Sequence, residues 1–405
     1  MLYAAYDACN DAMRPLRTMA STGRSWLARL NARTGTGAAP GSLAAAYEML
    51  AQTTLTHRRP PFGIDSTILD GRTVAVREEA ACTTPFGTLV RFAKATDVVQ
   101  PRVLLVAPLS GHFATLLRNT IETLLPEHDV YITDWHNARD VPLSDGRFGL
   151  DEYIDHVIRF LEAIGPGAHV VAVCQSCVQA LAAAAVLAED KSPLQPASMT
   201  LMAGPVDARI NPTRVNELAA SKPIEWFERK LIAAVPLRYP GARRRVYPGF
   251  VQLAAFMSMN IDRHVKAHVE MYQSIADGDH ERTAILKAFY DEYFAVLDLD
   301  ADFYLETVQQ VFQECRLAQG TLEWHGRRVD PRAIRRTALL TVEGEKDDIC
   351  AVGQTVAAHD LCSGLRPYMK RHHLQAGVGH YGVFSGRRWS SQIYPILRNT
   401  ILASS

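Results

Sequence analysis

The sequence predicts the α/β class, with a mostly parallel sheet, a helical insertion after its sixth strand and a helical extension before its first. Three observations carry that reading. Between positions 103 and 203, short apolar runs alternate with helical stretches of about 10–15 residues, the pattern of strand–helix–strand crossovers. At Gly204-Pro205 the alternation stops, and it resumes only at Thr337. Apolar side chains make up 48% of the 405 residues, enough to bury a large core and too many for a disordered chain.

Residues 1 to about 65 read as helical, with Ala45, Tyr47, Met49 and Leu50 at helical spacing, broken by Thr34-Gly-Thr-Gly-Ala-Ala-Pro-Gly-Ser42. The fragment Gly35-x-Gly37 follows no strand, and Pro40 stands where a helix should open, so a linker or turn is expected rather than a phosphate loop. From Thr73 the period shortens: Thr73–Arg77 and Thr88–Phe92 alternate as hairpin strands. Val103–Ala107 is a continuous apolar run, as a strand buried on both faces requires. A helix (Thr115 to Leu125), a strand (Val130–Asp134), a helix (Leu150 to Ile164), a strand (His169–Val173), a helix (Cys177 to Glu189) and a strand (Ser198–Ala203) follow. The next stretch, to about Arg336, reads as helical and aromatic, with Trp226-Phe227, Phe250, Phe256, Phe289-Tyr290 and Tyr293-Phe294. Strands at Thr337–Val342 and Arg371–Gln375 and a helix from Trp389 to Ala403 close the chain. The expected divisions are therefore 1–65, 66–204, 205–331 and 332–405. An insertion so placed is expected to cover a site at the carboxyl edge of the sheet.

Composition excludes several function classes. Lys+Arg and Asp+Glu both number 43, so a nucleic-acid partner, which favours a basic chain, is not expected. No run reaches about 18 apolar residues, so no membrane span is expected. Met1-Leu-Tyr-Ala-Ala-Tyr-Asp7 lacks the basic and apolar regions of a secretory signal. Seven thinly spread cysteines point to a reducing cytoplasm rather than a disulfide framework.

One of those cysteines is a candidate nucleophile. Val170-Val-Ala-Val-Cys174-Gln-Ser-Cys-Val178 runs from a buried strand straight into a helix, with small residues two before (Ala172) and two after (Ser176) the first cysteine. A nucleophile elbow, usually G-x-S-x-G, needs small residues at those positions because the turn is tight, and the helix N-terminus behind it favours a thiolate. Two other readings stand beside it: a redox Cys174-x-x-Cys177 pair, and two small buried cysteines filling a helix start. The redox reading has four strands ahead of it and lacks an aromatic residue before Cys174.

Two downstream residues complete a constellation. Thr337-Ala-Leu-Leu-Thr-Val-Glu-Gly-Glu-Lys-Asp347-Asp-Ile349 is a buried strand ending in a turn that presents acids. Asp347, three beyond Gly344, is the expected partner of a histidine, with Asp348 expected as a helix N-cap. His380 follows the last strand in Ala376-Gly-Val-Gly-His380-Tyr-Gly382. His372 and His373 read as strand residues, and His264 and His268 as one face of a lid helix without the further ligands a metal needs. Nucleophile, acid, histidine is the chain order of the α/β-hydrolase fold, and all three fall at strand ends.

At these motifs the chain resembles the intracellular poly(3-hydroxybutyrate) (PHB) depolymerases, which use cysteine as nucleophile. The resemblance runs through Met1-Leu-Tyr-Ala-Ala-Tyr6, Val106-Ala-Pro-Leu-Ser-Gly-His-Phe-Ala-Thr-Leu-Leu-Arg118, Tyr131-Ile-Thr-Asp-Trp-His-Asn-Ala-Arg139, Ala172-Val-Cys-Gln175, Gly344-Glu-Lys-Asp-Asp-Ile-Cys350 and Gly379-His-Tyr-Gly-Val-Phe-Ser-Gly386. By motif, it implies Cys174 as catalytic cysteine, Asp347 as aspartate and His380 as histidine. The helix start departs: Cys177-Val-Gln179 stands where the resemblance implies a Thr-Val-Pro-like continuation.

The expected chemistry is ester cleavage through a thioester on Cys174, with His380 as base held by Asp347. The oxyanion is expected on the backbone N–H of Gln175 and a second N–H from Leu109 or Ser110. No metal and no cofactor is required, although coenzyme A is a possible acyl acceptor. The resemblance implies a granule-associated cytoplasmic protein whose partner is the polymer surface. The aromatic insertion reads as lid and polymer contact or as the core of a helical subdomain. The extension 1–65 reads as a granule dock or a cover for a sheet edge. Arg243-Arg-Arg245 reads as a solvated run or as a contact to acidic granule material. A polyester synthase shares the triad order but implies a glycine-flanked cysteine, where this chain has Ala172 and Ser176. A non-catalytic granule protein implies a missing triad member, and none is missing.

Overall fold

The computed structural model describes residues 2–34, 41–52, 55–259 and 261–405, so the linker reading at Gly35-x-Gly37 lies outside the described residues. One sheet of nine strands dominates: β1 (Ser66–Leu69), β2 (Arg72–Thr83), β3 (Gly87–Lys94), β4 (Arg102–Val106), β5 (Asp129–Trp135), β6 (His169–Val173), β7 (Ser198–Met202), β8 (Ala338–Gly344) and β9 (Lys370–Gln375). Their spatial order is β1-β2-β3-β5-β4-β6-β7-β8-β9. The first three strands pair antiparallel, and β5 through β9 run parallel to β4 and to one another. An antiparallel lead-in followed by parallel strands, with β5 outside β4, is the α/β-hydrolase fold.

Burial explains the strand sequences. From Val103 onward β4 is fully enclosed, as are β6 and β7, which is why each reads as an unbroken apolar run. On the flanks, α3 (Arg118–Leu124) buries Thr120, Ile121 and Leu124, α4 (Leu150–Ile164) turns Tyr153, Ile154, Val157, Phe160 and Leu161 inward, and Gly165 ends α4 at φ 90°. The helix α5 (Ser176–Glu189) is buried almost throughout, and its alanines let it lie close against β6.

Three features differ from expectation. The strand β1 is one: Asp70 (φ 48°) and Gly71 (φ 76°) form a two-residue turn of the kind that joins hairpin strands, and Ser66–Leu69 pairs with β2. The extension is helical only through α1 (Leu2–Thr34) and α2 (Gly41–Gln52); residues 55–65 run without helix because Pro60, Pro61 and Gly63 (φ 64°) break it. Arg243-Arg-Arg245 is not a solvated run, since Arg244 is buried. Its guanidinium pairs with Asp300 at 2.8 Å and donates to the carbonyls of Val141, Gly146 and Pro142.

The insertion between β7 and β8 contains α6 (Arg214–Ala220), α7 (Ile224–Leu231), α8 (Gly249–Met259), α9 (Ile261–Asp277), α10 (His280–Tyr293) and α11 (Ala301–Glu306). It also holds a small antiparallel ribbon of Ala233–Ala234, Arg245–Tyr247 and Leu299–Asp300. Its rings cluster on one another: Tyr293 packs against Phe289, Tyr290 and His264, and Leu253 and Met271 join that cluster. The start of α1 packs on the same roof, with Tyr6 stacked on Phe250 at 4.1 Å.

Candidate active site

Strand register brings the candidate residues to one corner. Val106 faces Ala172 across β4–β6, Val173 faces Met202 across β6–β7, Val342 faces Met202 across β7–β8, and Gly344 faces Gln375 across β8–β9. The carboxyl ends of these strands therefore lie side by side.

Cys174 sits in the two-residue turn between β6 and α5 with φ 59°. A left-handed conformation at a residue with a side chain costs about 1–3 kcal/mol and persists only where its surroundings enforce it. They do so here. Ala172 is wholly buried, and Ser176 Oγ accepts from Val173 N (3.1 Å) while donating to Val106 O (2.8 Å). The Cys174 N–H donates to Met202 O at 2.8 Å. A Cβ on Gly204 would stand 2.2 Å from Cys177 Cβ and 2.8 Å from Cys174 O, so only glycine fits behind the turn.

His380 opens a short 3-10 turn (His380–Val383) and is buried. Its Nδ1–H donates to Asp347 Oδ2 at 2.8 Å, while Asp347 Oδ1 accepts from Ile349 N (2.9 Å) and Cys350 N (2.8 Å). With Nδ1 so engaged, Nε2 is left for the thiol of Cys174, whose charge bears on the imidazole. Burial by itself would push the imidazole down. The charges of Cys174 and Asp347 and the hydrogen bond to Asp347 outweigh it and hold His380 well above its ordinary value of 6.5.

The other acids at the β8 end do different things. Glu343 is wholly buried and accepts from Gly353 N, Thr355 N and Val356 N at 2.7–2.9 Å. Thr355 in turn exchanges hydrogen bonds with the backbone of Gly204, directly behind Cys174. That support went unread in the sequence, although an acid continuing an apolar strand is a signal of it. Asp348 does not cap a helix; the segment after it is irregular until Ala358–Leu361.

Cys177, unlike the partly exposed Cys174, is closed off from solvent. It is fully buried, its thiol faces the carbonyls of Ala172 (3.3 Å) and Met202 (3.6 Å), and burial pushes its pKa well up. A resolving cysteine needs access and thiolate character, so this environment speaks against a redox pair.

Gln175 lies next to Cys174 at the start of α5, and Leu109 and Ser110 lie in the loop after β4, the neighbouring strand. Among the described residues no acceptor takes the backbone N–H of any of the three. His372 and His373 lie in β9, and His264 and His268 in α9, with His264 Nδ1 3.3 Å from Tyr290 Oη. No group of three or more His, Cys, Asp or Glu among the described residues is placed to hold a metal ion.

A cleft of 870 Å³ opens beside the corner. Its wall includes Ile349 and Tyr381, neighbours of Asp347 and His380, and Phe256, Ile285, Phe289 and Tyr293 of the roof. The insertion's rings thus serve both as a helical core and as the cleft's apolar side. No described helix is long and apolar enough to cross a membrane.

The family profile described as PHB de-polymerase C-terminus matches residues 203–405, which hold the insertion, Asp347 and His380. The chain belongs to the PHB de-polymerase family. Membership makes it a carboxylic ester hydrolase, and the matched region begins at Ala203, immediately before the glycine that backs the elbow. Comparison with curated proteins finds no match. Among solved structures, the chain is similar to a thermophilic esterase from Thermogutta terrifontis (15% identity, 83% of this chain and 97% of that one, TM-score 0.41). It is similar also to a meta-cleavage product hydrolase from Pseudomonas fluorescens IP01 (15%, 84% and 95%, TM-score 0.42). A third is 2-hydroxy-6-oxo-6-phenylhexa-2,4-dienoate hydrolase from Rhodococcus sp. strain RHA1 (13%, 81% and 99%, TM-score 0.41).

Proposed function

We propose that this ester hydrolase cleaves poly(3-hydroxybutyrate) through a Cys174–His380–Asp347 triad. The observation that carries the proposal is His380, its Nδ1 held by the Asp347 carboxylate at 2.8 Å, at the same corner of the sheet as Cys174, itself on a left-handed strand–helix turn. Asp347 fixes the Nδ1–H tautomer, so Nε2 takes the thiol proton and forms a thiolate–imidazolium pair. The thiolate attacks an ester carbonyl. Backbone N–H groups of Gln175 and of Leu109 or Ser110 receive the oxyanion, and the leaving alkoxide collects its proton from His380. Water activated by His380 then opens the thioester and releases 3-hydroxybutyrate or a short oligomer. Coenzyme A is an alternative acceptor, since a thioester exchanges readily with a second thiol. No metal or other cofactor takes part.

The apolar cleft suits an uncharged polyester, and a cytoplasmic, granule-associated setting follows from that substrate. The test is incubation of the purified chain with amorphous polymer granules, with and without coenzyme A. Release of 3-hydroxybutyrate or its thioester that vanishes in Cys174→Ala supports the proposal; undiminished release in that variant overturns it.

A further inference from the structure

We infer that the N-terminal extension positions the oxyanion loop, acting through the buried carboxylate of Asp298, and that Tyr3 is the positioning residue that ties the two together. Residues 294–298, which lead out of α10, are gripped from both sides. On one side Thr56 N donates to Phe294 O (2.9 Å) and Val296 N donates to Thr56 O (2.8 Å). On the other, Leu297 N donates to Gly111 O (3.0 Å), and His112 pairs with Val296 in an antiparallel bridge. Gly111 adjoins Ser110, and it has little freedom: its φ is 96°, and a Cβ there would lie 2.7 Å from Gln252 Cγ on α8. The loop proposed to offer the second oxyanion N–H is therefore placed by a roof segment rather than by the sheet alone.

Asp298 anchors that segment. It is wholly buried; Tyr3 Oη donates to its Oδ2 at 2.6 Å and Gly249 N to its Oδ1 at 2.9 Å. Its own N–H donates to Asn137 Oδ1 (3.0 Å), and its carbonyl accepts from Ala138 N (3.0 Å). The Tyr3 ring packs edge-on against Phe250 at 5.6 Å, so the hydroxyl is delivered by a ring already fixed in the roof. A buried carboxylate stripped of one donor is left unsatisfied and moves to find another. Only one residue separates Asp298 from Val296, and Leu297 between them carries the bond to Gly111. Loss of the Tyr3 hydroxyl therefore shifts the oxyanion loop while leaving the triad corner untouched.

This inference rests on the oxyanion assignment above. Its test is Tyr3→Phe in the full chain, which keeps the ring and its packing. Two rates are measured: turnover of p-nitrophenyl butyrate, and alkylation of Cys174 by iodoacetamide, which needs the thiolate–imidazolium pair but no oxyanion hole. Expected is a fall in kcat of about 10- to 100-fold with KM within about twofold, and an unchanged alkylation rate. Asn137→Ala, which removes the acceptor of the Asp298 N–H, should show the same split and serves if Tyr3→Phe does not fold. Unchanged kcat in both variants overturns the inference, as does a parallel loss of turnover, alkylation and thermal stability. A wild-type chain inactive on polymer and soluble ester alike would sink the hydrolytic mechanism instead.

Discussion

The corner that holds the proposed triad and the roof above it are assembled by different means. Cys174, Asp347 and His380 come from three turns at the ends of β6, β8 and β9, parallel strands of one sheet, and each is held by neighbours within a few residues or one strand away. The roof is held by contacts between residues well separated in sequence: Tyr3 to Asp298, Arg118 to Glu292, Lys287 to Glu48 and Arg244 to Asp300. Chemistry at the corner should therefore be sensitive to single atoms and indifferent to most of the roof. The roof should fail through stability, except where residues 294–298 reach the loop after β4 proposed to receive the oxyanion.

The largest expected effect sharpens the corner side. Cys174→Ala should lower turnover about 10⁴- to 10⁶-fold, read by single-turnover ester kinetics, with little change in melting temperature. Asp347→Asn, which keeps the shape but spoils the tautomer, should cost about 10³- to 10⁴-fold in kcat. On the roof side, Arg244→Met strands Asp300 without its partner; about 3–5 kcal/mol of stability should be lost in denaturant titration, with Cys174 alkylation unaffected below the transition. If alkylation falls in the folded variant, corner and roof are less separate than described.

Acidification should destabilise the fold through buried histidines other than His380. Burial pushes His57 down to about 3, and His112, His128 and His169 down to about 4, from an ordinary 6.5. Lowered folded values mean that the unfolded chain binds more protons, so the stability these groups lend is full above about 6.5 and is lost as pH falls through 4. Asp134 and Asp298, pushed up to about 6 by burial, oppose this between about 4 and 6. The net expectation is a melting temperature that declines below pH 6.5; a rise on acidification would contradict it. The smallest effect is expected for Cys177→Ala: turnover within about twofold and a stability loss near 1 kcal/mol, by chemical denaturation. A large catalytic loss there would revive the redox reading.

The same contrast explains what could be read from sequence. Parallel strands buried on both faces announce themselves as apolar runs, and a turn that must be tight demands small residues, so Ala172, Ser176 and the strand ends were legible. Asp347 stood out because it follows a strand end by a turn's length. The roof had no such local grammar. Nothing near Tyr3 says that its hydroxyl meets a carboxylate 295 positions away, and nothing in Arg243-Arg-Arg245 marks the middle arginine as buried. Those pairings are set by tertiary packing alone. The hairpin at Asp70-Gly71 is the opposite case, an available turn signal that went unread.

The most direct measurement is acid-quench mass spectrometry of the full chain during turnover of a 3-hydroxybutyrate oligomer, with peptide mapping and hydroxylamine treatment. Expected is a hydroxylamine-labile 3-hydroxyacyl adduct on the peptide containing Cys174, absent in Cys174→Ala and longer-lived in His380→Gln. An adduct on another residue, or turnover that persists in Cys174→Ala, would contradict this expectation.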